Sequence, residues 1–477
     1  MTQRLAKNTF YLTLASIGQK AVAFLYFALI ARLMGAEDTG AYFIALAIVT
    51  VIMVLDDVGI TSVLIRETAK KGEDAKMWCR TVMGIKVITM PLTVVIAFFV
   101  PVFMGYSDDV VHLVRLATII MLADTLSLTF YGILRGLHRL KFESIGIFVG
   151  QMTTAAFGLF FLLTGSGTLP ILITALIIGS SWNAIFSAVQ VIRKLGWSAL
   201  VPMYTLGWKP LKMAFAFFLA AVFVKVYSYT DSIILERVMG EEAVGFYAVA
   251  YKLTYAFQFL PLAFIAALYP TMSAQAKDPI LLKKTLLKSF WYLMLLGAPI
   301  VFGVWSLAPE IVTFFYSEQY ISSILPLQTL IFVLIFIFLD FPIGSLLNAT
   351  DRQSVKTSIM GATMVVNIVG NLILIPGYEI VGASIAAIIS FVFMFAAGWV
   401  AVRRVVDVSL IDLWRNIWHV MLAAILMAVV VVIAKAFIPF YFAIALGAIV
   451  YVIFGFLFGG ITRDHVEQVK FLLKRGV

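Results

Sequence analysis

Arg32-Leu-Met-Gly-Ala-Glu-Asp-Thr-Gly-Ala-Tyr42 returns 205 residues later as Arg237-Val-Met-Gly-Glu-Glu-Ala-Val-Gly-Phe-Tyr247. Extended without gaps over 20–45 against 225–250, the match holds eight identities in 26: Lys20, Arg32, Met34, Gly35, Glu37, Gly40, Tyr42 and Ala45. Ordinary residue frequencies would give roughly two. A chain that repeats itself over such a distance is built from two copies of one architectural unit. The solvent decides what that unit is. Hydrophobic residues make up 62% of the 477 and charged residues 13%, about half the ~25% usual in a soluble globular protein. No compact water-soluble form hides that much apolar surface, so lipid surrounds most of this chain. Soluble enzyme, secreted protein and DNA binder are excluded. The single cysteine, Cys79, excludes a disulfide framework and a cysteine-based metal cluster. The formal charge of +10 fits basic cytoplasmic loops.

Apolar stretches of the ~20 residues needed to cross a bilayer run over about 8–33, 39–62, 80–104, 110–134, 142–165, 169–193, 211–235, 243–270, 285–308, 323–348, 354–376, 380–403, 415–436 and 438–460. Their separators carry turn chemistry, as in Met34-Gly-Ala-Glu37, Gly105-Tyr-Ser-Asp108, Gly165-Ser-Gly167 and Ile375-Pro-Gly377. Continuous rather than alternating hydrophobicity predicts helices, not a barrel. The first stretch is too long for a signal peptide, is interrupted by Gln19 and Lys20, and reads as retained. The expectation is an all-α integral membrane protein with about 14 transmembrane helices. The repeat sets the first span on the seventh. Six is an even number, so the halves share orientation about an axis along the membrane normal, an arrangement of transporters. The predicted layout is two parallel six-helix repeats, 1–205 and 206–410, followed by two appended helices and a tail, 411–477.

Basic residues orient this layout. With a cytoplasmic N-terminus, 27 lysines and arginines fall in the inner loops and termini, against Arg32, Arg237 and Lys435 outside. That asymmetry places both termini in the cytoplasm. The outer loops span at most about 15 residues and leave no extracytoplasmic domain. The segments around Trp197 and Trp208, Ile280–Lys288 and Asp464–Arg475 read either as amphipathic stretches lying in the interface or as solvated loops.

Five basic residues remain inside spans: Lys20, Lys86, Arg115, Lys225 and Lys252. Each costs about 2.5–3.5 kcal/mol at a lipid-facing helix centre, so it should face protein or a wet cavity. Lys86 and Arg115 lie near span ends and can snorkel to the interface. Lys20 and Lys225 lie mid-span and are counterparts in the repeat, which puts them on opposite walls of one axis. Lys252 sits beside Tyr251 and Tyr255. Three lysines on a wet cavity make an anion site. The alternative pairs them with intramembrane acids, Asp124, Asp231 and Asp340, or Asp56 and Asp57, and needs no ligand. Asp231 reads as a cation-coupling carboxylate or an ion-pair partner. Tyr251, Tyr255 and Gln258 follow i, i+4, i+7 spacing and either line a sugar path or pack a helix. There is no Walker loop and no histidine spacing for a metal, so neither ATP, metal nor cofactor is expected. Pro91, Pro261, Pro299 and Pro342 mark expected kinks.

The stretches Leu33–Tyr42, Val58-Gly-Ile60, Tyr229-Thr-Asp-Ser-Ile-Ile-Leu235, Val244–Tyr251 and Leu268-Tyr-Pro-Thr-Met-Ser273 resemble the polysaccharide-export flippases of the multidrug/oligosaccharidyl-lipid/polysaccharide exporter superfamily. The resemblance covers the whole chain. It implies a flippase moving polyprenyl-diphosphate-linked oligosaccharide across the cytoplasmic membrane by alternating access, for cell-surface polysaccharide biosynthesis. The anion for Lys20, Lys225 and Lys252 would then be the diphosphate. It also implies a V-shaped cavity between two lobes, and last helices that cradle the polyprenyl tail as in the related lipid II flippase. Those flippases are richer in cavity arginine than this chain. Multidrug extruders of the superfamily carry a coupling acid in span one; here that span has none from Asn8 to Leu33, and the counterpart of Asp231 is Tyr26. The alternative function is a cation-coupled multidrug or metabolite antiporter of the same superfamily. A membrane polysaccharide polymerase or ligase would need the large outer loop that is missing. The expected partners are the lipid-linked oligosaccharide and membrane lipids, with a polysaccharide polymerase or glycosyltransferases as candidates. A monomer that is not an enzyme and binds no nucleic acid is expected.

Overall fold

The computed structural model describes residues 2–70, 74–165, 167–203 and 208–461. Within a bilayer every backbone polar group must be satisfied inside the protein, which leaves helices as the solution for this composition. Among the described residues there are α-helices and short 3-10 turns but no strand. The α-helices are α1 (Thr2–Met34), α2 (Ala36–Asp57), α3 (Ile60–Lys70), α4 (Ala75–Phe103), α5 (Asp108–Gly136), α6 (Leu140–Leu163), α7 (Leu169–Leu195), α8 (Trp208–Met239), α9 (Glu241–Tyr255), α10 (Phe259–Ala274), α11 (Pro279–Ser306), α12 (Ala308–Tyr316), α13 (Ile324–Leu330), α14 (Val333–Ala349), α15 (Gln353–Arg403), α16 (Leu410–Ala434) and α17 (Phe440–Leu457).

Twelve helices among the described residues are long and apolar enough to cross a membrane, or thirteen when the pair bent by 40° between Leu330 and Val333 is one span. The fourteen expected from the sequence are not reached by that count, and α15 is one reason. It counts once, yet its 51 residues extend about 76 Å at 1.5 Å per residue, more than twice the ~30 Å of hydrocarbon. The chain leaves helical geometry inside it at Glu379 (φ 53°, ψ −135°), just after Pro376.

The second apolar stretch also ends earlier than its composition predicts. Val58 (φ 48°) and Gly59 (φ 72°) turn left-handed and stop α2. A side chain on Gly59 would collide with the backbone of Ala214 and Phe218 on α8, so the turn requires glycine. The amphipathic α3 follows, burying Ile60, Val63 and Leu64. The Ile280–Lys288 segment, expected as an interfacial stretch or a loop, forms instead the first turns of α11. Asp278 caps this helix by accepting from the backbone of Ile280 and Leu281, both at 3.0 Å, with Pro279 in the first turn. Burial of Leu282 and Leu286 then carries the helix inward. The Asp464–Arg475 tail, Ser166 and the Trp208 side chain lie outside the described residues.

Two compact units make up the chain. The first is Met1–Ala248 with Asn371–Ile380; the second is Val249–Gly370 with Val381–Val477. The sequence repeat and these units divide the chain differently, because α8 packs along α2 within the first unit. A core of Ile60, Leu64, Val82, Phe130, Ile133 and Leu134 fills that unit where α3, α4 and α5 meet. In the second unit α16 and α17 lie against α11 over Ala298, Ala424, Met427 and Tyr451. One bond there has a plain cause. Pro299 has no N–H for the carbonyl four residues earlier, and that carbonyl, Leu295 O, accepts from the Tyr451 hydroxyl at 2.9 Å instead. Lys435 adds a bond to Ser306 O at 2.7 Å and an ion pair with Glu310 at 3.1 Å.

Candidate functional site

The repeat in the sequence has a counterpart in side-chain geometry. A methyl built on Gly40 would overlap the Glu241 carbonyl, and one built on Gly245 would overlap the Ala36 carbonyl. The offset of 205 exchanges the two contacts, carrying Gly40 to Gly245 and Ala36 to Glu241, so the first turns of α2 and α9 cross as a two-fold pair with backbone against backbone. The same spacing relates two further pairs. Tyr26 and Tyr42, both buried, lie close enough to interact electrostatically; their counterparts are Asp231 and Tyr247, and the Tyr247 hydroxyl donates to the Asp231 carboxylate.

Asp231, read from the sequence as a coupling carboxylate or an ion-pair partner, is hydrogen-bonded within the first unit. Its carboxylate, 2% exposed, accepts from Tyr247 and from the backbone N–H of Ser232 at 2.8 Å. Among the described residues no ion pair joins it to Lys225. The ammonium of Lys225 lies 5.8 Å from the centre of the Tyr229 ring, one helical turn on, where the ring face attracts a cation. Lys225 and Lys20 are each half-buried in the first unit. Among the described residues neither forms an ion pair; the buried or half-buried lysines that do are Lys86, Lys283, Lys356 and Lys435. Lys252 is half-buried on α9 and belongs to the second unit.

The other intramembrane acids are accounted for within helix packing. Asp124 on α5 is hydrogen-bonded to the Ser180 hydroxyl on α7. Asp340 receives the Lys356 ammonium on both oxygens, at 2.7 and 2.6 Å. Charge asymmetry assigns Lys356 to a basic loop; it lies instead in the first turn of α15 and is 8% exposed. Lys86 does not snorkel. It is 1% exposed, donates to Asp56 Oδ2 at 2.8 Å and Asp56 O at 3.0 Å, and so caps the end of α2 just before the Val58–Gly59 turn. Thr89 completes Asp56 at 2.7 Å, and Thr61 donates to Asp57. Arg115 is exposed and lies over the Phe98 ring at 5.7 Å.

The Tyr251 and Tyr255 rings sit 4.3 Å apart. Gln258 does not continue their helical face, because α9 stops at Tyr255 and residues 256–258 form a 3-10 turn. Three residues of these arrangements, Tyr229, Tyr247 and Lys356, do not stand out in the sequence as site residues. For Tyr247 a signal exists, since it occupies the repeat position of Tyr42 and pairs with the counterpart of Tyr26.

An all-helical membrane protein with two-fold related helix pairs, and with mid-span lysines that form no ion pair among the described residues, has the make-up of a transporter. Residues 5–276 match the family described as Polysaccharide biosynthesis protein, and residues 216–373 match the MatE family. The first match covers more than half of the sequence: this chain belongs to the polysaccharide biosynthesis protein family, within the multidrug/oligosaccharidyl-lipid/polysaccharide exporter superfamily. It is 23% identical over 401 residues, 81% of each chain, to the probable low-salt glycan biosynthesis flippase Agl15 of Haloferax volcanii. Among solved structures it resembles the lipid II flippase MurJ in an inward closed conformation, with TM-score 0.74, 18% identity, and 94% of this chain and 98% of that one covered. An inward-facing multidrug resistance MATE transporter gives 0.66 at 16% identity, covering 83% and 98%. At such identities the structural likeness establishes the fold.

Proposed function

We propose that this protein flips a polyprenyl-diphosphate-linked oligosaccharide across the cytoplasmic membrane for cell-surface polysaccharide biosynthesis, working by alternating access with both termini in the cytoplasm. The family assignment supports transport in polysaccharide biosynthesis rather than catalysis, and a relative of this length bears the name of a glycan biosynthesis flippase. One observation carries the choice of an anionic substrate: Lys20 and Lys225, repeat counterparts inside apolar helices, form no ion pair among the described residues, while Lys86 and Lys356 do. A cation left inside a membrane helix without a carboxylate is costly and marks a substrate path. A lysine head is a mobile point charge, suited to an anion that must also be released. Lys252, half-buried on α9, is a further candidate for contact with an anion.

The test is transport of a lipid-linked oligosaccharide by the full chain in proteoliposomes. Lys20→Ala and Lys225→Ala each abolish transport at nearly unchanged protein level, and Lys→Arg at either position retains part of it. Unimpaired transport by both alanine variants overturns the reading. The competing reading, a cation-coupled antiporter, draws on the MatE match over 216–373 and on buried Asp231. It requires instead that Asp231→Asn abolish drug or metabolite exchange.

A further inference from the structure

Three groups on α8 and α2 form a chain that the anion reading alone does not use. Lys225 and Tyr229 lie four residues apart on α8 and so share a helix face. The ammonium stands over the ring, 5.8 Å from its centre. The other end of the ring is also held, since Tyr229 is hydrogen-bonded to Thr50 on α2. The direction of that bond follows from counting protons. The Thr50 hydroxyl donates its single proton to Leu46 O at 2.7 Å; toward Tyr229 it can only accept, and the phenol donates. The neighbouring hydroxyls are committed elsewhere: Ser228 donates to Val224 O and Thr230 to Val226 O, each at 2.7 Å. Lysine is the residue of this group with most rotamer freedom to lose on binding. A ring fixed at its far end, with one face against the ammonium, restrains that head.

We propose that Tyr229 is a positioning residue for Lys225, pre-orienting the ammonium for the substrate's diphosphate, and that Thr50 fixes Tyr229 in turn. The inference rests on the anion role of Lys225 in the proposed function. Restraint of a flexible side chain in its bound position raises affinity by cutting the ordering cost. Removal of an aromatic partner from a partly desolvated cation corresponds to roughly two- to thirtyfold in affinity.

The experiment is binding of farnesyl diphosphate, a soluble polyprenyl diphosphate, to the purified full-length protein by calorimetry. Lys225→Ala is expected to weaken binding at least tenfold. Tyr229→Leu should weaken it about fivefold, while Tyr229→Phe, which keeps the ring face, stays near wild type or loses about twofold with its anchor. In the Lys225→Ala background Tyr229→Leu should have no further effect, because its action passes through the lysine. A merely structural tyrosine predicts a different pattern, with the loss from Tyr229→Leu unchanged in that background. That pattern, or Tyr229→Leu binding as well as wild type, overturns the positioning role while leaving the anion reading in place. Binding unaffected by Lys225→Ala overturns both.

Discussion

Replacing Lys86 by methionine removes a charge from the interior of the first unit and leaves the aliphatic stem nearly intact. The structure sets the size of the effect. Lys86 and Asp56 are each 1% exposed, and the ammonium makes two bonds, to Asp56 Oδ2 at 2.8 Å and Asp56 O at 3.0 Å. Without it Asp56 keeps one neutral donor, Thr89, and remains a carboxylate inside protein. Breaking one side of a buried pair costs about 3–5 kcal/mol, since the stranded charge has lost its compensation. A unit of this size shifts its melting point by roughly 2–4 °C per kcal/mol, so Lys86→Met should melt on the order of 10 °C lower in a fixed detergent. Adding Asp56→Leu should recover most of that loss, because replacing both partners by apolar groups is often neutral. The assay is thermal unfolding of purified protein followed by tryptophan fluorescence. A single variant melting within 2 °C of wild type, or a double variant no better than the single, refutes the buried-pair account.

Lys225→Ala should leave membrane abundance nearly unchanged and should not be rescued by Asp231→Ala, since Asp231 bonds to Tyr247 rather than to the lysine; restored transport in the double variant would contradict this. Tyr451→Phe should cost about 1–3 kcal/mol by orphaning Leu295 O. It should be nearly harmless in a Pro299→Ala background, where the new N–H serves that carbonyl; equal losses in both backgrounds would show that the proline plays no part. A reporter fused after Val477 should be cytoplasmic and a cysteine at Ser107 should react with an impermeant reagent from outside; reaction at Ser107 only after permeabilisation would reverse the orientation.

The solvent, the helical class, the repeat and the family are all legible in the amino-acid order, because they depend on quantities local to the chain or summed over it. Sixty-two per cent hydrophobic residues admit only lipid, and lipid admits only structures that close their own hydrogen bonds. The repeat at 205 is visible because Gly40 and Gly245 have one steric reason to exist: each meets a backbone carbonyl of the other copy. The charges are legible as a set but not as partners. Lys86 has the position of a snorkelling residue and is instead enclosed by Asp56; Lys356 has the position of a loop cation and binds Asp340. Asp231, near Lys225 in the chain, turns to Tyr247. A helix fixes which residues share its own face, but its rotation and its neighbours are set by packing against other helices. Thirty residues separate Asp56 from Lys86 and sixteen separate Asp231 from Tyr247, distances over which no periodicity carries information. Which acids neutralise which bases is settled by how the helices pack.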